Sequence, residues 1–267
     1  MNTMEKALRE LGDMDDLAAG DSPIHRLHPA AKLLVTIAYI VTVTSFGRYD
    51  LSGLVPMALF PAVLFQVSGV PVKTCFYKLR IVLPLVMAVG LFNPLFDKTP
   101  LVRLGTLAVS GGVVSMLALM LKGVLCLTVS FLLAATTSID RLCAALRRMH
   151  VPSFLVTLLL LTYRYVSVLG RELSVMTDAY RLRAPGQKGI HVSAWGSFLG
   201  QLLLRSADRA QELYAGMCLR GYNGRFYYVE SEPFRVSDAG YLLGSAALFA
   251  LLRFVPVARL LGVWIVR

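Results

Sequence analysis

Two arginines near the end of the chain sit in matching surroundings. Arg183 lies in Leu182-Arg183-Ala184, within DAYRLRAPG, and Arg220 lies in Leu219-Arg220-Gly221, within AGMCLRGYNG, 37 residues later. A guanidinium presents its donors in a rigid fork and binds several acceptors at once, while a small residue beside it lets another backbone come close. That is the chemistry of docking, not of bond making. A local reading competes with it: an Arg in the last turn of a helix complements the helix dipole and binds free carbonyls, worth ~0.3 to 1 kcal/mol. The repetition of an apolar residue, an Arg and a small residue at two helix ends favours docking for the pair.

Signatures of catalysis are missing. The chain has no G-x-x-x-x-G-K-[ST] phosphate loop, so ATP hydrolysis in any complex it joins must come from another chain. H-E-x-x-H and G-x-S-x-G are also absent. His25 and His28 have the spacing of two metal ligands on a helix, but Pro29 follows at once and no third ligand is near, so no metal site is expected. His150 and His191 fall at helix boundaries, where they cap or are solvated. Cys75, Cys126, Cys143 and Cys218 show no C-x-x-C pairing and read as small buried residues. The net charge of +11, from 27 Lys and Arg against 16 Asp and Glu, fits attraction to anionic lipid. Aromatic residues do not interleave with a basic run, so nucleic acid is not an expected partner.

The elements that must hold the two arginines lie between Thr136 and Asp238, where charge density rises while apolar residues keep helical spacing. One helix is expected from Thr137, with Asp140 as capping-box partner, to a stop at Val151-Pro152. A second, capped by Ser153, runs to Ala184, because the residue before Pro185 is pushed out of the helical region. Its apolar stretch FLVTLLLL is too short to span, so this helix is expected in or under the membrane surface. Beyond it, Val166, Leu169, Leu173, Met176 and Tyr180 make one face. A third helix, capped by Ser193, runs to Arg220, with Gly221 just past its end where Gly is favoured. Leu199, Leu202, Ser206, Ala210, Leu213 and Met217 line one of its faces. Arg183 and Arg220 continue these apolar stripes, three residues beyond Tyr180 and Met217.

The rest of the chain is membrane. Apolar residues make up 56% of the sequence, too many for an ordinary soluble domain of 267 residues. Apolar runs occupy 33–46, 51–67, 81–96, 106–135 and about 239–264. A bilayer core takes about 20 helical residues, so the first three runs are short and the fourth is long. Pro56, Pro61 and Pro84 predict kinked helices packed against neighbours. Lys122, near the middle of the fourth run, either turns toward protein or snorkels. Arg26, Lys32, Lys73, Lys78, Arg80, Arg141, Arg147 and Arg148 gather on one side of the spans, against Arg48, Lys98 and Arg103 on the other, so the N-terminus and the region after 136 are expected in the cytoplasm. The first 22 residues, with Asp13, Asp15 and Asp16, do not read as a cleaved signal. The expectation is an all-α integral membrane protein of five or six spans: a cytoplasmic N-terminal segment at 1–32, four helices at 33–135, a cytoplasmic region of long amphipathic coupling helices at 136–237, and a last span at 238–267.

At its two Arg motifs the sequence resembles the transmembrane T component of energy-coupling factor transporters, the EcfT/CbiQ family. SPIHRLHPAAKLL, LLAATTSIDRLCAALRRMHVPSFL and FNPLF are similar to other parts of that family, the first to its cobalt-type branch. The resemblance implies a bacterial cell-membrane importer with two ABC-type ATPases, this chain as scaffold, and a small substrate-binding membrane protein for a vitamin or a transition-metal ion. It implies that Arg183 with Ala184, and Arg220 with Gly221, seat in grooves on the ATPases, with Leu182 and Leu219 standing where the family usually has Ala. It further implies that Leu169, Leu173, Met176, Leu213 and Met217 press on the substrate-binding subunit, although each is equally readable as intramolecular core. ATP and Mg would be bound by the ATPases, leaving this chain without a cofactor. The rival reading is a self-sufficient channel or carrier, for which Lys122 and Asn93 are the mid-membrane polar groups. A membrane-embedded enzyme ranks below both, since no paired carboxylates or His clusters occur within the spans.

Overall fold

The computed structural model describes residues 12–92, 100–104, 107–187, 189–224 and 234–254. Its helices in chain order are α1 (12–18), α2 (Pro29–Thr44), α3 (Leu51–Leu54), α4 (Leu59–Ser68), α5 (Val72–Leu91), α6 (Gly111–Thr136), α7 (Ile139–Arg148), α8 (Ser153–Arg183), α9 (Trp195–Leu219) and α10 (Val236–Phe254). One antiparallel hairpin, β1 (Pro100–Leu104) with β2 (Leu107–Ser110), is the only strand pairing among the described residues of this all-α membrane fold. The helix expected from 106 therefore begins at Gly111, because residues just before it, including β-branched Val109 opposite Val102, pair in the hairpin.

The chain divides into two compact units. One comprises α2 to α6 with α10, and the other comprises α7 to α9.

In the first unit Tyr39, wholly buried, donates from its hydroxyl to the Met57 carbonyl at 3.0 Å. Its ring stacks on Phe60, with centroids 5.1 Å apart, and meets Phe249 edge-on at 5.4 Å. Val35, Val43, Leu54, Leu125 and Val129 close around this trio. Phe60 and Phe249 also meet, at 4.8 Å, and aromatic pairs of this kind add ~0.5 to 1.5 kcal/mol each beyond the area they bury.

Two of the three prolines coincide with a break or a bend, while Pro61 lies buried within α4, where no bend is found. Pro56 starts a 3-10 turn, Pro56–Ala58, that separates α3 from α4. α5 bends by 47° between Val72–Arg80 and Val82–Leu91. Pro84 explains the position, since its ring clashes with the carbonyl four residues back, at Arg80, and leaves that carbonyl without its donor.

Lys122 turns toward protein. Its ammonium donates to the Phe46 carbonyl at 2.6 Å and approaches the Thr44 carbonyl at 3.4 Å, and Arg253 reaches the Ser45 carbonyl at 3.1 Å while covering the Phe46 ring at 4.4 Å. Two cations thus cap the free carbonyls at the end of α2 and oppose its negative dipole end. At the other end of α2 His28 is the N-cap, its Nδ1 accepting from the Ala30 amide at 3.1 Å, with Pro29 in the first turn. Cys75 and Cys143 are buried as expected and Cys126 half-buried, but Cys218 is exposed, because α9 turns that side to solvent.

Three helices, Leu51–Ser68, α6 and α8, are long and apolar enough to cross a membrane, and the bent α5 makes a fourth when taken as one span. The inclusion of α8 corrects the expectation of a helix too short to span: within its 31 residues a stretch of 18, reaching past Thr162 and Arg164, is apolar enough to cross. α2 is shorter, at 16 residues. Asn93, Lys98 and residues 255–264 of the last apolar run lie outside the described residues.

Candidate functional site

The second unit is built around α8. Cys143, Val156 and Leu160 form a small core, with Ile139, Leu146 and Val151 packed on it, which holds α7 against the first turns of α8. Burial pushes the Cys143 thiol up from its ordinary value, and Asp140 adds to the shift. α7 begins at Ile139, not at Thr137. It closes on a 6→1 bond, Val151 amide to Leu146 carbonyl at 3.2 Å, with a 5→2 bond from His150 to Arg147 at 3.1 Å. His150 takes the left-handed position of this cap, φ 63°, where Gly is usual.

α8 starts at Ser153 with Pro152 at the cap position, so Ser153 is the first helical residue and not the cap it was expected to be. Its end is set by Pro185. Arg183 is the last helical residue, Ala184 leaves the helical region, and the Gln187 amide returns to the Ala184 carbonyl at 3.4 Å across Pro185 and Gly186. Gly186 has φ 93°, and Pro followed by a positive-φ Gly is the pattern of a type II turn. The Tyr180 hydroxyl fastens this turn, donating to Gln187 Oε1 at 3.0 Å and accepting from the His191 amide at 3.3 Å. Sequence periodicity reads Tyr180 only as part of an apolar stripe, and nothing in the sequence signals where its hydroxyl goes.

The next helix opens with a 3-10 turn, Val192–Ala194, capped by His191 and not by Ser193; the His191 Nδ1 accepts from the Ser193 amide. α9 then runs to Leu219. Its end matches the expectation: Gly221, φ 82°, occupies the left-handed position, with 6→1 and 5→2 bonds of 3.0 Å from Tyr222 to Met217 and from Gly221 to Cys218.

Two contacts orient α9 against α8. His191 lies beside Tyr180, and Arg205 donates to Glu172 at 2.8 Å. From its start near Tyr180, α9 therefore runs back past Glu172 and continues away from the Arg183 end. At about 1.5 Å per residue, Arg183 is about 16 Å along α8 from the ion pair, and Arg220 is about 22 Å from it along α9 in the opposite sense. The two ends face apart.

Both ends are open. Leu182 is 84% exposed and Leu219 is 90% exposed, Arg183, Arg220 and Gly221 are exposed, and Ala184 is half-buried. Neither the Arg183 nor the Arg220 guanidinium forms a hydrogen bond or ion pair with a described residue, whereas Arg181, Arg205 and Arg209 on the same helices pair with Asp178, Glu172 and Glu212. Neither motif arginine folds back on its own helix carbonyls, so the local dipole-capping contact is not formed. Beside the second end, a hydrogen bond to the Cys218 thiol raises the Tyr214 phenol above its ordinary value. Leu169, Leu173, Met176, Leu213 and Met217 are half-buried. They are partly core and partly surface.

A sequence model of the CbiQ family, described as a cobalt transport protein, matches residues 20–228. The nickel permease LarQ of Lactiplantibacillus plantarum is 33% identical over 120 residues, 45% of this chain and 43% of that protein. The cobalt transport protein CbiQ of Rhodobacter capsulatus is 36% identical over 104 residues, 38% of this chain and 42% of that protein. The chain thus spans less than half the length of each of these two. The energy-coupling factor transporter transmembrane protein EcfT of Listeria innocua is 27% identical over 255 residues, 87% of this chain and 94% of that protein.

Proposed function

Since this chain belongs to the CbiQ family and is a membrane component of an energy-coupling factor type transporter, we propose that it is the coupling scaffold of that importer. In this reading Arg183 and Arg220 dock two ABC-type ATPases, at the ends of α8 and α9, on the cytoplasmic side of a bacterial cell membrane. The ATPases carry ATP and Mg, and this chain is non-catalytic. A separate small membrane protein captures the cargo, and the half-buried Leu169, Leu173, Met176, Leu213 and Met217 contact it. Cobalt and nickel in the names of two relatives support a transition-metal ion ahead of a vitamin as cargo.

The observation that carries this reading is the pair of unengaged guanidiniums at exposed helix ends on opposite sides of the Arg205–Glu172 ion pair. Ordering an exposed Arg on binding costs about 0.5 to 1.5 kcal/mol, but its planar fork spreads that cost over several hydrogen bonds, so an acceptor-lined groove on a partner gains from each guanidinium. Two such ends facing apart suit two partners better than one. Leu182 and Leu219, almost fully exposed, add apolar area where Ala would leave less. The channel reading loses support at one of its two mid-membrane groups, because Lys122 is occupied by carbonyls at and just past the end of α2; the other, Asn93, lies outside the described residues.

The test is capture from the protein's own membranes in mild detergent, wild type against an Arg183→Glu, Arg220→Glu double variant. Recovery of ABC-type ATPases with wild type and their loss with the variant is the expected result. Recovery of the chain alone, still moving a solute after reconstitution, overturns the proposal.

A further inference from the structure

The SPIHRLHPAAKLL stretch has no part in docking, yet it holds a set of buried polar side chains. His25, His28, Lys32, Thr136, Thr137 and Asp238 are each at most 4% exposed. The membrane unit passes into the α7–α9 unit at three places: between Asp15 and Asp16, between Ser138 and Ile139, and ahead of α10. On the membrane side of each passage the chain is tied to His25–Lys32.

At the first passage His25 Nε2 lies 3.0 Å from the Leu17 carbonyl. A carbonyl only accepts, so Nε2 donates there, and Nδ1 makes a second hydrogen bond, 2.7 Å from the Ser22 hydroxyl. At the second, Lys32 Nζ donates to the Thr136 carbonyl at 2.8 Å and to the Thr137 hydroxyl at 3.0 Å, capping the last turn of α6 just before the chain leaves. At the third, the His28 amide donates to Asp238 Oδ1 at 2.8 Å, and Asp238 Oδ2 accepts from the Arg235 amide at 2.8 Å, fixing the first turn of α10. Buried hydrogen bonds hold helices together in any membrane protein, but they do not by themselves collect at every passage between two units on one short stretch.

We infer that His25–Lys32 is the anchor of the transmission: a positioning site that keeps the chain ends of the coupling unit fixed to the membrane core while the α8 and α9 ends move with nucleotide. This role rests on the coupling reading above. Lys32 is its central residue, since one ammonium holds both a backbone carbonyl and a side-chain hydroxyl at the exit of α6.

Hydrogen exchange reads this without knowledge of the cargo. The complex captured from its own membranes is compared nucleotide-free and vanadate-trapped. In wild type, amides of residues 133–137 keep their protection within twofold between the two states, while those around 184–187 and 220–222 change tenfold or more. Lys32→Met makes 133–137 respond to nucleotide by at least fivefold, leaves 54–60 unchanged, and Lys32→Arg restores the wild-type pattern. Wild-type amides at 133–137 that follow nucleotide as strongly as the helix ends overturn the inference. So does a Lys32→Met change that is equal in both states, which is what a purely structural bond gives. If Lys32→Met is not recovered folded, Thr137→Val, which removes one of the two acceptors, is read the same way with a twofold to threefold response, and no response overturns the inference. Absence of ATPases from the wild-type capture is a different failure, that of the coupling reading itself.

Discussion

In the membrane unit Lys32, Lys122 and Arg253 each end on backbone carbonyls at or just past a helix C-terminus, whereas Arg183 and Arg220 end on no described residue. The difference follows from the surroundings. Lys32 is buried, where a cation must find acceptors, and the last carbonyls of a helix are the acceptors with no partner of their own; Lys122 is half-buried and Arg253 exposed, and helix packing brings both to the end of α2. At an exposed helix end water does that work, and a guanidinium can trade water for acceptors on another protein. Cations of the first kind are consumed by the fold, and those of the second are available.

Charge reversal should separate the two classes most sharply. Arg183→Glu with Arg220→Glu should lower ATPase capture tenfold or more and leave the unfolding temperature of the purified chain unchanged; a large fall in that temperature would place these arginines with the structural ones. Lys32→Met should cost about 2 to 3 kcal/mol, because a charge-assisted bond is lost and a buried carbonyl and hydroxyl are left without it. Thermal unfolding in detergent measures it, and a loss under about 0.5 kcal/mol would break the comparison from the other side. Lys122→Met should cost less, about 1 to 2 kcal/mol, since Arg253 still serves the end of α2, and ATPase capture should be unaffected.

The helix ends sharpen the comparison further. Gly221→Ala puts a Cβ at φ 82° and should cost about 1 to 2 kcal/mol, fraying the turn that carries Arg220. His150→Gly, at the equivalent position of α7, should stabilise by roughly 1 kcal/mol by the same argument in reverse. Circular dichroism melts of the two variants should move in opposite directions. The smallest effect concerns Asp21, held below the usual carboxylate range by its hydrogen bond to Arg26 and by that residue's charge. A depressed carboxylate contributes stability above its unfolded value of about 3.9 and loses it as pH falls through the folded one, so Asp21→Asn should slightly flatten the acid limb of a pH titration and change little at neutral pH. The pair is fully exposed, and the effect should vanish in high salt.

Much of the candidate site could be read in advance because it rests on local rules. Pro185 ends α8 wherever that helix lies, since the residue before a proline is excluded from the helical region. Gly221 ends α9 because the left-handed cap position selects Gly. The caps were read less well: Ser153 and Ser193 look like N-caps by type, yet Pro152 and His191 stand at those positions, because which polar atom meets an amide depends on the path of the preceding chain. An apolar count that stops at Thr162 makes α8 too short to span. Averaged over the 18 residues that cross a bilayer core, the isolated polar residues Thr162 and Arg164 are outweighed by their apolar neighbours.

Residue type and spacing alone determined that the chain lives in a membrane, where its helices bend, and that two arginines stand on two helix ends with a small residue beside each. Periodicity, proline sterics and glycine dihedrals act over a few residues and need no knowledge of the fold. Which cations are consumed and which remain was decided only by the tertiary structure. Lys122 finds carbonyls about 76 residues away in sequence, Lys32 finds Thr136 and Thr137, and His28 finds Asp238 across most of the chain. Those partners are brought together by helix packing, and the cost of burying a charge without acceptors makes the pairing obligatory once packing has placed them.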